Sequence, residues 1–147
     1  MYHAGVTAHP LIRMLLVVGV SALLALVGLA QTGPLWTDVT SAALPPTKYW
    51  TNKVEIADLN GDGRPDLLFA NGGDYSTPGT PEPNQVFLHV GPDFRFEEAT
   101  ARVFGSTPDL ARVIKARDLN ADGLVDIVVG TTYQTQSRLF LGTAPGA

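Results

Sequence analysis

The sequence predicts an all-β fold: two copies of one antiparallel, blade-like β unit, preceded by an apolar signal-peptide helix. Three observations predict it. The stretch DLNGDGRPDLLFA, from Asp58 to Ala70, recurs as DLNADGLVDIVVG from Asp118 to Gly130. Short runs rich in Val, Ile, Leu and Phe, bounded by Gly, Pro, Asn and Asp, flank both copies and read as strands. Beyond the leader, no stretch shows a long amphipathic helical period.

The first element is the leader, residues 1–30. A short polar start ends at Arg13, and Met14 to Ala30 then runs without a charge. Gly28 and Ala30 are small residues at the positions a signal peptidase reads, so cleavage before Gln31 is expected. An uncleaved membrane anchor is the alternative, since the run sits near the lower limit of ~17–25 residues for a span. In either case the remaining chain is expected to be secreted, periplasmic or on the cell surface. The chain has no cysteine, which excludes both an acylated anchor and disulfide staples.

Two units follow, 31–91 and 92–147, related by an offset of sixty residues. Trp36 aligns with Phe96, Leu44 with Phe104, Val54 with Ile114 and Leu67 with Ile127, without a gap. Each unit opens on an aromatic residue (PLWTDVTSAAL; FRFEEATARVF), continues through a polar stretch, and reaches a β-compatible run (KVEIA; RVIKA). The acidic loop and an apolar run (DLLFAN; DIVVGTT) come next, which places the loop inside a β-hairpin. NQVFLHVG and SRLFLG close the two units. The first unit carries an extra seven residues within GGDYSTPGTPEP, an exposed loop by its Gly and Pro content. A short helical turn is the alternative for FRFEEATARVF; its counterpart TDVTSAALPP is stopped by Pro45 and Pro46.

Charge narrows the function. The chain carries a formal −4, and removing Arg13 with the leader leaves nine Lys/Arg against 14 Asp/Glu. With no Lys/Arg cluster there is no field for nucleic acid. Six of the 14 acidic residues lie in the two repeated stretches, so the acidity is concentrated there.

Numbered from its first aspartate, each loop has side-chain oxygens at positions one, three, five and nine: Asp58, Asn60, Asp62 and Asp66, then Asp118, Asn120, Asp122 and Asp126. Gly63 or Gly123 at position six permits the sharp turn that aims the main-chain carbonyl at position seven, Arg64 or Leu124, at the same point. An all-oxygen set with a charge of about −3 suits a hard cation of roughly 6–8 ligands, calcium rather than zinc or copper. The simpler alternative is an ordinary Asp-Gly hairpin turn without a metal. An EF-hand is excluded because position twelve, a bidentate glutamate in that motif, is Phe69 or Val129, and strand-like sequence follows. A dockerin pair fails for the same reasons.

Two copies of D-L-N-x-D-G-x-x-D followed by an apolar strand resemble the FG-GAP/VCBS repeats of bacterial exported proteins and of the integrin α-chain β-propeller. The second copy is the more similar, with Phe104-Gly105 upstream and DIVVGTT where the family commonly ends a strand in Gly-Ala-Pro; the first has Leu44-Pro45 and LLFANGG. NQVFLHVG, SRLFLG and FRFEEAT are similar to the bacterial VCBS and ASPIC/UnbV-associated versions. The resemblance spans Trp36 to Gly142. It implies one structural calcium ion on Asp58, Asn60, Asp62, the Arg64 carbonyl and Asp66, and a second on the counterparts from Asp118 to Asp126. It also implies an incomplete propeller, since rings need ~4–8 blades. The chain is then a fragment of a longer product, which the ending GTAPGA favours, or it self-associates through open blade edges, or it is marginally stable.

The expected function is a non-enzymatic, calcium-stabilised interaction or adhesion module that binds an unidentified protein or glycan through loops such as Gly72 to Pro83, with Tyr75 as a contact. The alternative is part of a secreted propeller hydrolase or lyase whose catalytic residues lie outside this chain. The single histidine past the leader, His89, is expected on a strand's solvent face, and no nucleophile elbow, phosphate loop or zinc spacing is present. Trp36, Tyr49 and Trp50 suggest either a sugar platform or, more simply, filling between blades.

Overall fold

A computed structural model describes residues 33–144. The leader and its cleavage site lie outside the described residues, and among these no helix is long and apolar enough to cross a membrane. The chain divides into two compact units, Met1–Asp38 and Val39–Ala147. In the first, the described residues 33–38 form no helix or strand, and Leu35 and Trp36 are exposed.

The second unit opens with a single helical turn, α1 (Thr40–Ala43). A four-stranded antiparallel meander follows: β1 (Thr51–Ala57), β2 (Asp66–Asn71), β3 (Gln85–Val90) and β4 (Arg95–Glu98). Another turn, α2 (Thr100–Phe104), leads to a three-stranded sheet of β5 (Ala111–Arg117), β6 (Asp126–Thr131) and β7 (Arg138–Phe140). The fold is all-β, two blade-like antiparallel sheets, as the short apolar runs and the repeat predict.

The repeat holds to the level of register. β1 pairs with β2 through Val54–Phe69 and Ile56–Leu67; β5 pairs with β6 through Ile114–Val129 and Ala116–Ile127. Both first strands carry an irregularity at the same place, Thr51/Lys53 and Ala111/Val113. The third strands correspond at an offset seven residues shorter, Phe87 opposite Leu67 and Phe140 opposite Ile127, because the first unit's insertion lies between its second and third strands.

β4 was not evident in the sequence. FRFEE reads as the opening of the second unit, yet Arg95–Glu98 pairs with β3 and closes the first sheet. The sequence period and the sheet are therefore out of step by one strand. The residues after it, TARVF, do form the short helical turn weighed as an alternative, capped by Gly105 at φ 66°.

Strand alternation sets the core. One face of the first sheet buries Leu68, Ala70, Val86 and Leu88, and these meet Ile114, Ile127 and Val129 from one face of the second. β1 and β5 lie side by side. Phe104 of α2 fits between the sheets, edge to face with Phe140 at 5.1 Å. Burying a side chain of this size contributes about 1.5–3 kcal/mol, so this shared seam is what joins the two sheets.

Candidate functional site: the twin acidic loops

Asp66 is the first residue of β2 and has no solvent-exposed surface. Its Oδ2 accepts the Leu59 N–H at 2.8 Å and its Oδ1 accepts the His89 N–H of β3 at 2.8 Å. One carboxylate thus ties the start of the loop to the third strand. Asp58 caps the loop from the other side, with Oδ1 accepting the Gly61 N–H at 2.8 Å and Oδ2 the Gly63 N–H at 2.8 Å. Asn60 accepts the Asp62 N–H at 3.1 Å and donates its amide to Asp62 Oδ2 at 2.9 Å, while Asp62 Oδ1 accepts the Arg64 N–H at 2.9 Å. Gly61 and Gly63, at φ 75° and 82°, supply the left-handed backbone this winding requires.

The second loop repeats this frame. Asp126, equally buried, accepts Leu119 N–H at 2.8 Å and Gly142 N–H at 2.9 Å. Asp118 accepts the N–H groups of Ala121 at 2.7 Å and Gly123 at 2.9 Å. Asn120 and Asp122 exchange the same pair of bonds, and Leu124 donates to Asp122 at 2.8 Å. Two differences stand out. Ala121 takes the left-handed position of Gly61, at φ 63°. Leu124 replaces Arg64, whose guanidinium pairs with Asp62 at 2.5 Å and donates through Nε to the His89 carbonyl at 3.0 Å.

These contacts set the electrostatics. For Asp62, desolvation favours the neutral acid. The Arg64 N–H, the Asn60 amide and the charges of Arg64 and His89 outweigh it and hold the carboxyl below its ordinary range. For Asp66, burial pushes the pKa up; the His89 and Leu59 N–H groups oppose this, and the negative charges of Asp62 and Asp58 add to it, leaving the group raised.

The structure gathers Asp58, Asn60 and Asp62 at the tip of one hairpin, with Asp66 at its base, and repeats the arrangement from Asp118 to Asp126. Among the described residues, no group of three or more acidic, histidine or cysteine side chains closes round a point as a metal site. The chemistry of the donors nonetheless suits a hard cation, since every expected ligand is an oxygen. The upward push on the Asp66 carboxyl from Asp58 and Asp62 is what such a charge would relieve.

Two features were not legible beforehand. The first is a buried polar chain linking the sheets: Asn84 accepts the Asn71 N–H at 3.0 Å and donates to Asp109 at 3.0 Å, and Arg138 of β7 closes on Asp109 at 2.5 Å. Asn71 and Asn84 look like turn residues in sequence, and nothing marks their partners. The second is an aromatic cluster at the strand ends opposite the acidic loops. The Arg112 guanidinium lies over the Tyr75 ring at 5.2 Å and the Tyr133 ring at 5.9 Å and donates to the Gly72 carbonyl, with Trp50 edge-on to Tyr75. Trp36, Tyr49 and Trp50 are exposed, and Tyr49 and Trp50 do not fill the space between the sheets. His89 is half-buried rather than solvent-facing, its ring stacked on Phe94 and Phe96, with no hydrogen-bond partner for either ring nitrogen.

Residues 58–129, from the first acidic loop through the second sheet's middle strand, match the family described as the FG-GAP-like repeat. This part of the chain is an FG-GAP-like repeat segment. No curated protein and no solved structure matches the chain. The matched span begins at Asp58 and takes in both acidic loops, so the frame repeated above belongs to the FG-GAP-like region itself. Together with two antiparallel sheets packed face to face, the match suggests a β-propeller-type repeat module.

Proposed function

We propose that the chain is an exported, calcium-stabilised interaction module without catalytic activity of its own. The observation that carries this reading is the repetition of one loop frame around the same oxygen-bearing side chains sixty residues apart. A turn needs no such fidelity to join two strands. Asp58, Asn60, Asp62, Asp66 and the Arg64 carbonyl would hold one ion, and Asp118, Asn120, Asp122, Asp126 and the Leu124 carbonyl the other. When bound, the ion supplies positive charge that offsets carboxylate repulsion beside a buried strand. Export rests on the apolar run from Met14 to Ala30. Partner binding, to a protein or glycan, is assigned to the exposed aromatic cluster of Trp50, Tyr75 and Tyr133, which Arg112 holds in place.

Calorimetric titration of chelator-treated protein with calcium chloride tests the metal assignment. Two ions per chain are expected, the second loop filling first because Arg64 already neutralises part of the first. The two affinities should differ modestly and converge in Arg64→Leu. A folded protein that takes up no calcium overturns the reading.

A further inference from the structure

The two sheets leave two apolar faces open, and the repeat says what covers them. Call the face of each sheet that includes Val54 or Ile114 its front, and the face that includes Leu68 or Val128 its rear. Inside the molecule the rear of the first sheet is packed on the front of the second. The front of the first sheet and the rear of the second have no partner sheet among the described residues; on that front Phe87 is already buried, and Val54 and Ile56 are what it exposes.

Three of the open positions are the repeat counterparts of buried ones. Val128 is exposed where Leu68 is buried, and Val54 is exposed where Ile114 is buried. Leu139 is 58 % exposed, whereas its counterpart Val86 is fully buried. Each of these two surfaces therefore exposes apolar residues that correspond to one half of the internal seam.

The strands and charges agree with this. β7 has no fourth strand beside it among the described residues, whereas β3 is closed by β4. The residues sixty before β4 are 35–38, LWTD, which open the repeat as RFEE does; they form no strand, and Trp36 is 87 % exposed. Along the inner strands Glu55 pairs with Lys115, sixty residues on, at 3.0 Å, and the lysine remains mostly exposed. A second copy continuing the stack would set its own Glu55 beside that lysine.

We propose that copies of this chain assemble head to tail, the second sheet's rear face on the first sheet's front face of the next copy, with residues 35–38 of that next copy adding as the fourth strand to β7. The inference deepens the interaction-module reading by naming a partner, but needs no calcium to be true. An interface of this heterologous kind closes into a ring or runs on as a filament, and a ring of ~4–8 blades takes a few copies.

Native mass spectrometry of the purified chain provides the test, using Ile56→Asp on one face and Leu139→Asp on the other, both exposed positions whose charge the isolated fold tolerates. The unmodified chain is expected as an oligomer of the single-chain unit, each variant alone as a monomer, and their equimolar mixture as a dimer through the one intact pair of faces. A monomeric unmodified chain overturns the proposal, as it would if further repeats of a longer product were the natural cover. Variants that remain oligomeric, or a mixture that stays monomeric, also overturn it. The absence of cysteine makes the strand pairing separately testable. Leu88 lies opposite Glu97, so Leu141 should lie opposite Thr37 of the neighbour. Mixing Thr37→Cys with Leu141→Cys chains under oxidation is expected to give a covalent dimer that neither gives alone; its failure to form overturns the added strand.

Discussion

Removing the Asp66 carboxylate separates a clasp from a mere turn residue. In Asp66→Ala the N–H groups of Leu59 and His89, each bonded at 2.8 Å, lose their acceptor at a site with no solvent contact. A hydrogen bond to a charged group contributes about 1.5–3 kcal/mol, so the pair sets an upper range of about 3–6 kcal/mol. Relief of a buried charge beside Asp58 and Asp62 offsets part of this, and a net loss of about 2–4 kcal/mol is expected. Asp66→Asn keeps one acceptor oxygen and turns an amide donor toward the other N–H, so it should fall between. The pH dependence has a definite sign. Because the folded-state pKa of Asp66 lies above its ordinary 3.8, the native state binds its proton more tightly, and this group's contribution to stability rises as pH falls through the folded value and is complete below 3.8. That component disappears in Asp66→Asn. Urea denaturation in chelator, followed by circular dichroism from neutral to acid pH, reads both effects. Equal stability of the wild type and Asp66→Ala would refute the clasp.

Other outcomes follow from single positions. Ala121 sits at φ 63° where the first loop has Gly61 at φ 75°, so Ala121→Gly should stabilise and Gly61→Ala destabilise, each by about 0.5–1 kcal/mol in thermal unfolding. A Cβ on Gly72 would overlap the Asp109 carbonyl oxygen; Gly72→Ala should open the Glu82–Asp109 bridge and speed amide exchange at both residues, while exchange in β6 is unchanged. Asp74 is held below its ordinary 3.8 by the Thr77 N–H and hydroxyl, against slight desolvation, with help from Ser76 and Arg112. Its stabilisation is therefore present above 3.8 and lost as pH falls through the lower folded value, so amide exchange at Ser76 and Thr77 should accelerate in that acid range.

The strands that the sequence made legible are those whose neighbours are near in the chain. β1, β2, β5 and β6 are short β-compatible or apolar runs that flank a loop with a strong composition. β4 was hidden because Phe96 marks the start of a sequence period, and only the ladder to His89 and Leu88 assigns it to the preceding sheet. The oxygens of the acidic loops were legible as a set, but not their present bonds. Position nine reads as one more ligand, and nothing in the spacing says that Asp66 reaches a strand 23 residues away. The exposure of Trp36 and Trp50 was missed because aromatic residues at repeat starts fill a seam only when a further sheet lies against them.

Two near-identical hairpins in one chain create a hazard of misassembly, in which a first strand closes with the middle strand of the other copy. The insertion between β2 and β3 works against this. It reaches across to Asp109 through a two-way backbone bridge at 2.9 and 2.8 Å, a contact that only the first copy can donate and only the second can receive. A swapped pairing keeps its apolar alternation but forfeits that bridge. The extra residues thus give each hairpin an address, and trimming them to the length of the second copy should slow correct refolding more than it lowers the stability finally reached.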